Sequence, residues 1–164
     1  MIGNDIVDLA AAAVESNWKR KGYLEKIFTE AERFLIHVSK DANVMVWLFW
    51  TMKEAVYKAA EYNTQTKTFA PCTLSCNNLI LHENSACGTV DYKGKKYYCH
   101  SGLTPDYIHT IAADCEKTLV LISLKIETYN ITDQSYKALK PDSVSHHGRY
   151  LALINLSGSL QSTS

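Results

Sequence analysis

The chain has 164 residues, 46% hydrophobic and 10% aromatic, which is enough to bury a core without disulfides, and its 17 Lys+Arg balance its 17 Asp+Glu. That composition excludes a disordered chain, and without a basic excess no nucleic-acid partner is expected. No basic segment leads into an apolar stretch at the start, and the longest apolar run, Val44 to Trp50, is too short to cross a bilayer; no membrane partner and a cytoplasmic location are expected.

The first sixty residues read as one strand followed by helices. Ile2 to Val7 is a short apolar strand, and a helix is expected from about Asp8 to Lys19, ending near Gly22 with Lys19, Arg20 and Lys21 at its C-terminus. Thr29-Glu30-Ala31-Glu32 has the spacing of a capping box and opens a helix to about Val38. Asp41 or Asn43 caps the next and longest helix, to about Tyr62.

From Cys72 onward the pattern is that of strands. Thr73 to His82, Gly88 to Tyr92 and Lys95 to His100 are short and β-rich, with Lys93-Gly94 as a hairpin tip, and Tyr107 to Asp114 and Thr118 to Glu127 read as a second antiparallel pair. Residues 129–141 read as a connection, Tyr150 to Ile154 as a last strand, and the Ser- and Gly-rich Ser157 to Ser164 as a fraying tail. Helices first and strands afterwards predict an α+β fold with an antiparallel sheet packed on helices. The five cysteines, Cys72, Cys76, Cys87, Cys99 and Cys115, are odd in number and lack C-x-x-C spacing, so they read as small, mostly buried thiols.

Two segments carry chemistry. Gly3-Asn4-Asp5 puts a carboxylate at the end of a strand beside a glycine that admits a ligand or a neighbouring backbone. Trp50-Thr51-Met52-Lys53-Glu54-Ala55-Val56-Tyr57-Lys58 puts Glu54 and Lys58 on one helix face at i and i+4, with Trp50 one turn earlier marking the edge of the core. Two acids and a lysine suit a magnesium-bridged pyrophosphate, the carboxylates taking the cation and the ammonium offsetting phosphate charge. Read alone, Asp5 also suits a helix cap, and Glu54 with Lys58 an exposed ion pair.

The order and separation of G-x-D and W-x-x-K-E-A-x-x-K resemble the 4'-phosphopantetheinyl transferase superfamily, in its holo-acyl-carrier-protein-synthase and surfactin-type branches. Its members move the phosphopantetheine arm of coenzyme A onto a serine of a carrier protein. The resemblance implies a ferredoxin-like half over residues 1–127, with 128–164 as a connection and a C-terminal strand carrying a Ser-His motif. It implies Mg²⁺ held by Asp5 and Glu54, with Glu54 or a water it holds as proton acceptor, Lys58 stabilising phosphate charge and Lys53 a further phosphate ligand. Ser145-His146-His147-Gly148-Arg149-Tyr150-Leu151-Ala152 resembles the S-H-x-G-x-aromatic pattern that grips the coenzyme A 3'-phosphate. Cys99-His100-Ser101-Gly102 keeps part of that pattern, which makes His100 a second cofactor-binding candidate; Ser145 and His146 fit better.

The further partners implied are an acyl or peptidyl carrier protein, met by Lys19, Arg20 and Lys21, and a second copy of the chain in a homo-oligomer. The glycine-rich turn that follows K-E-A-x-x-K in relatives is missing from Ala59 to Thr64, and Val7 replaces the acid of surfactin-type chains, leaving Ile6-Val7-Asp8 as in the short branch. A non-catalytic module binding coenzyme A or a carrier is the alternative.

Overall fold

The computed structural model describes residues 1–62 and 68–157. Positions 63 and 64 of the missing glycine turn, and all of the expected fraying tail beyond Ser157, lie outside the described residues. Strand β1 (Ile2–Asp8) is buried along nearly its whole length, although it is an edge strand. It begins a five-stranded antiparallel sheet of order β1-β5-β4-β3-β2, built with β2 (Ser75–Leu81), β3 (Ser85–Tyr92), β4 (Lys95–Leu103) and β5 (Tyr107–Ala113). A second antiparallel sheet has the order β6-β8-β7, from β6 (Ile122–Thr128), β7 (Ser143–His147) and β8 (Tyr150–Leu156).

Among the described residues four α-helices lie between β1 and β2: α1 (Leu9–Glu15), α2 (Tyr23–Ile27), α3 (Glu30–Val38) and α4 (Ala42–Ala60). Helix α4 is the spine of the core, because Val46, Leu48, Phe49, Met52, Ala55, Val56 and Ala59 are all fully buried against the large sheet and its flanking helices. Asp41 caps it, accepting from Val44 N at 3.1 Å, and Thr29 and Glu32 close the expected capping box at the start of α3. The second sheet lies against β1, so the edge strand is enclosed by the chain's own C-terminal segment.

The α+β architecture with antiparallel sheets on helices is the expected one, and four details differ. Helix α1 stops at Glu15, where Ser16 turns extended, because the indole of Trp18 packs into the core and donates to Asn43 Oδ1 at 3.1 Å. Lys19, Arg20 and Lys21 therefore lie in turns, and Gly22 precedes α2 instead of following a helix. Strands β5 and β6 do not pair, since both edges of β5 are taken by β1 and β4, and a 3-10 helix over Glu116–Leu121 carries the chain to the second sheet. Strand β6 pairs with β8, so a boundary at residue 127 cuts through the small sheet. Of the cysteines only Cys76 and Cys99 are buried; Cys87 is intermediate, and Cys72 and Cys115 are exposed.

Candidate active site

The contact of β1 with α4 explains why G-x-D and K-E-A-x-x-K occur together. A Cβ on Gly3 would stand 2.2 Å from the Ala55 carbonyl oxygen and 2.6 Å from Ala59 N. Glycine on the strand and alanines one turn apart on the helix let the two backbones touch. Of the two uses that a glycine beside Asp5 admits, a neighbouring backbone is the one realised. Asp5, two residues on, shares the face of Gly3 and meets Lys58 from the next helical turn, Nζ to Oδ1 at 2.8 Å.

The open side of β1 is closed in an uncommon way. Alternate residues of β7 take the outward N–H groups of β1 with their side chains: Asn4 N donates to Ser143 Oγ (3.2 Å), Ile6 N to Ser145 Oγ (3.1 Å) and Asp8 N to His147 Nδ1 (3.0 Å). These bonds satisfy backbone donors that an edge strand leaves unpaired. The hairpin from β7 to β8 fits against the end of β1 through Gly148. Its φ is +51°, and a Cβ there would meet Asp8 Oδ2 at 2.5 Å. Arg149 then grips Asp8 twice, Nε to Oδ2 at 2.9 Å and Nη2 to Oδ1 at 3.0 Å, while Asp8 Oδ1 also caps α1. The Arg149 guanidinium holds the Asp8 carboxyl well below the usual carboxylate range, against an opposing effect of burial. Asp8, not Asp5, is the helix cap.

Between these elements lies a cavity of about 630 Å³ lined by Asp5, Trp50, Glu54, Lys58, Ser145 and His146 among others, a size that suits a cofactor. Glu54 is half-buried on its wall and has no hydrogen-bond partner among the described residues. Burial first, and the charge of Asp5 second, push its carboxyl up to about 7, with Lys58 opposing. His146 stacks on Tyr129, ring centroids 4.2 Å apart and planes 10° from parallel. Behind the site, burial with the charges of Lys58 and His100 pushes His109 down to about 4, and its neutral ring donates from Nε2 to Asn4 Oδ1 at 3.3 Å.

The donor set fits a hard divalent cation. Lys58 and Ser145 both bond to Asp5 Oδ1, which leaves Oδ2 and both Glu54 oxygens without hydrogen bonds among the described residues. A buried carboxylate facing a second negative charge, as Glu54 faces Asp5, is what a bound Mg²⁺ relieves. Among the described residues no group of three or more His, Cys, Asp or Glu side chains is arranged to hold a metal ion by itself. Phosphate oxygens and water would therefore complete the coordination of such an ion.

Asp5, Glu54, Lys58, Ser145 and His146 thus converge, and three assignments change. Lys53 is fully buried and points away from the cavity: Nζ meets Glu32 Oε2 at 2.7 Å, Ile27 O at 2.8 Å and Pro71 O at 3.0 Å, which uses all three of its protons. It is not a phosphate ligand. His100 sits on β4 and lines other cavities, with none of Asp5, Glu54 or Lys58, while its neighbour Cys99 is buried in the core and its thiol is pushed far up by burial. Ser145, finally, spends its hydroxyl on protein groups and has no hydrogen-bonding position left for a 3'-phosphate; His146 does. The β7 clasp itself escaped the sequence reading, although Ser143, Ser145 and His147 at period two mark a strand face too polar for the core.

The geometry defines a class of protein first: an α+β chain in which a strand and the central helix present two carboxylates and a lysine to one cavity, a layout suited to a cation and a phosphate. The profile of the 4'-phosphopantetheinyl transferase superfamily matches residues 1–112, from β1 into β5, and the chain belongs to that superfamily. Among solved structures it is similar to the crystal structure of Thermotoga maritima holo-[acyl-carrier-protein] synthase, at 15% identity, over 94% of this chain and 83% of that one, with a TM-score of 0.47. No curated protein sequence matches the chain significantly. No helix among the described residues is long and apolar enough to cross a membrane.

Proposed function

We propose that the protein transfers 4'-phosphopantetheine from coenzyme A to a serine of an acyl or peptidyl carrier protein, in the manner of a holo-acyl-carrier-protein synthase. The observation that carries this reading is Glu54: a carboxylate pushed up to about 7 and without a hydrogen bond among the described residues, in the same cavity as the Asp5–Lys58 pair. A carboxylate made more basic, with its proton affinity brought near neutral pH, is costly in a fold and useful to a proton acceptor.

Asp5 and Glu54 would hold Mg²⁺, which when bound neutralises the pyrophosphate and orients it. Glu54 takes the proton of the carrier serine as its oxygen bonds to the β-phosphorus of coenzyme A, and the bond to adenosine 3',5'-bisphosphate breaks. Lys58 leans from Asp5 toward the phosphate and stabilises charge on the leaving oxygen. His146, exposed on the cavity wall, would meet the 3'-phosphate. Lys19, Arg20 and Lys21 sit in exposed turns, where an acidic carrier helix would reach them. The wall opposite α4 comes from the chain's own β7, so a homo-oligomer would add to this cavity and not create it.

The donor is tested by incubating the protein with coenzyme A, Mg²⁺ and apo carriers. Transfer predicts one phosphopantetheine adduct per carrier by intact mass, with equimolar release of adenosine 3',5'-bisphosphate. Binding of coenzyme A with neither product would favour the non-catalytic alternative.

A further inference from the structure

Ser145 is 4% exposed, and every hydrogen-bonding position of its hydroxyl is occupied. It accepts from Ile6 N at 3.1 Å and from Lys58 Nζ at 3.1 Å, and donates to Asp5 Oδ1 at 2.9 Å. A hydroxyl has one proton and two acceptor positions, so nothing is left for a ligand. Ser143 and His147 clasp β1 in the same way but reach neither Asp5 nor Lys58. Of the three clasp residues, Ser145 is the one bonded to both Asp5 and Lys58.

The three groups form a closed ring: Lys58 donates to Asp5 and to Ser145, and Ser145 donates to Asp5. Both bonds fall on Asp5 Oδ1, which fixes the carboxylate's rotation and leaves Oδ2 unspent. The ring joins α4, β1 and a strand well beyond the matched residues 1–112. We propose that Ser145 is a positioning residue, whose hydroxyl sets the Asp5 carboxylate and the Lys58 ammonium for a divalent cation and a phosphate. Ser145 thereby makes the C-terminal sheet part of the metal and phosphate site without itself touching the substrate. This rests on the transferase reading for its kinetic consequence, but not for its consequence in metal binding.

The test compares the wild-type chain with Ser145→Ala, Ser145→Cys and Ser143→Ala, each first checked for native circular dichroism. Mn²⁺ affinity is measured by electron paramagnetic resonance without coenzyme A, and kcat and KM are measured with coenzyme A and with 3'-dephospho-coenzyme A. Groups that orient a metal ligand change affinity or activity by roughly 10-fold to 100-fold. Ser145→Ala is expected to bind Mn²⁺ about tenfold more weakly and to lose kcat by a similar factor, equally with both donors, whereas Ser143→Ala stays within about twofold in Mn²⁺ affinity.

Equal Mn²⁺ affinities for Ser145→Ala and the wild type, or no Mn²⁺ binding by the wild type, overturn the proposal. So does a loss confined to coenzyme A, which assigns Ser145 to the 3'-phosphate. Should Ser145→Ala not fold, Ser145→Cys, close in volume and a poor donor, carries the same expectations. A wild-type chain that transfers nothing to any carrier, yet shows the Mn²⁺ contrast, overturns the transferase reading and upholds the role of Ser145.

Discussion

Glu54 and Lys53 are neighbours in sequence with opposite surroundings, and each makes its own prediction. Glu54 keeps its proton in the folded protein up to about pH 7, against 4.5 for an ordinary glutamate. A raised carboxylate pKa favours the folded state only while the group is protonated, so stability falls as pH rises from about 4.5 to about 7 and levels off above. Glu54→Gln has no such ionisation. Its melting temperature relative to the wild type should therefore climb across that interval, and Mg²⁺ should stabilise the wild type alone. A difference that stays flat with pH would show that Glu54 titrates normally. Lys53 is the reverse case, a buried ammonium whose three protons are satisfied by Glu32, Ile27 and Pro71. Lys53→Met leaves the Glu32 carboxylate buried without its cation, at a cost of about 3–5 kcal/mol in urea denaturation. The KM for coenzyme A should not change. Both lysines of the K-E-A-x-x-K run were legible as a motif. That one is structural was not, because a helix fixes which side a residue faces only once the rest of the core is in place.

At the scale of elements, the site depends on how closely α4 rests on β1. Gly3→Ala inserts a methyl into space held by the Ala55 carbonyl, 2.2 Å away, and backbone on both sides cannot yield as a side chain would. Overpacking of this kind costs about 1–3 kcal/mol. The shift it forces should also pull Lys58 from Asp5, so activity should fall further than stability alone explains, and a variant with full turnover would contradict that coupling. The hairpin that ends β7 is held by Asp8 and Arg149. Because Asp8 is kept well below its ordinary range of about 3.8, it contributes stability that is complete above that value and is lost as pH falls through the folded pKa. Arg149→Ala should therefore be less stable than the wild type at neutral pH, with the gap narrowing in acid; a gap that widens in acid would contradict the pairing. Strand β1, the capping box at Thr29 and α4 were readable from the sequence, since local pattern and capping residues set them. The end of α1 at Glu15 was not, because it is decided by the contact of Trp18 with Asn43, a partner 25 residues away.

At the scale of the whole molecule, the chain builds its cavity from two sheets that the sequence joined in the wrong order. The expectation that β5 and β6 would pair followed adjacency in sequence, and failed because β1, more than a hundred residues earlier, competes for the same edge of β5. The same long-range pairing leaves the C-terminal sheet free to cover β1 and deliver Ser145 and His146. Asp5, Glu54 and Lys58 were legible because the G-x-D triplet and i,i+4 spacing are local signals, although Asp5 falls in the middle of β1 and not at its end. The role of Ser145 was not, since it depends on bonds spanning 87 to 140 residues.

The central claim is that Asp5, Glu54 and Lys58 form a magnesium-dependent transfer site. Its most direct test is intact-mass measurement of an apo carrier incubated with coenzyme A and either the wild-type chain or Glu54→Gln, each with Mg²⁺ and with chelator. The account predicts adduct from the wild type with Mg²⁺, none with chelator, and a rate lowered by about 10²–10⁴-fold in Glu54→Gln. Adduct formed at comparable rates by both proteins would contradict it.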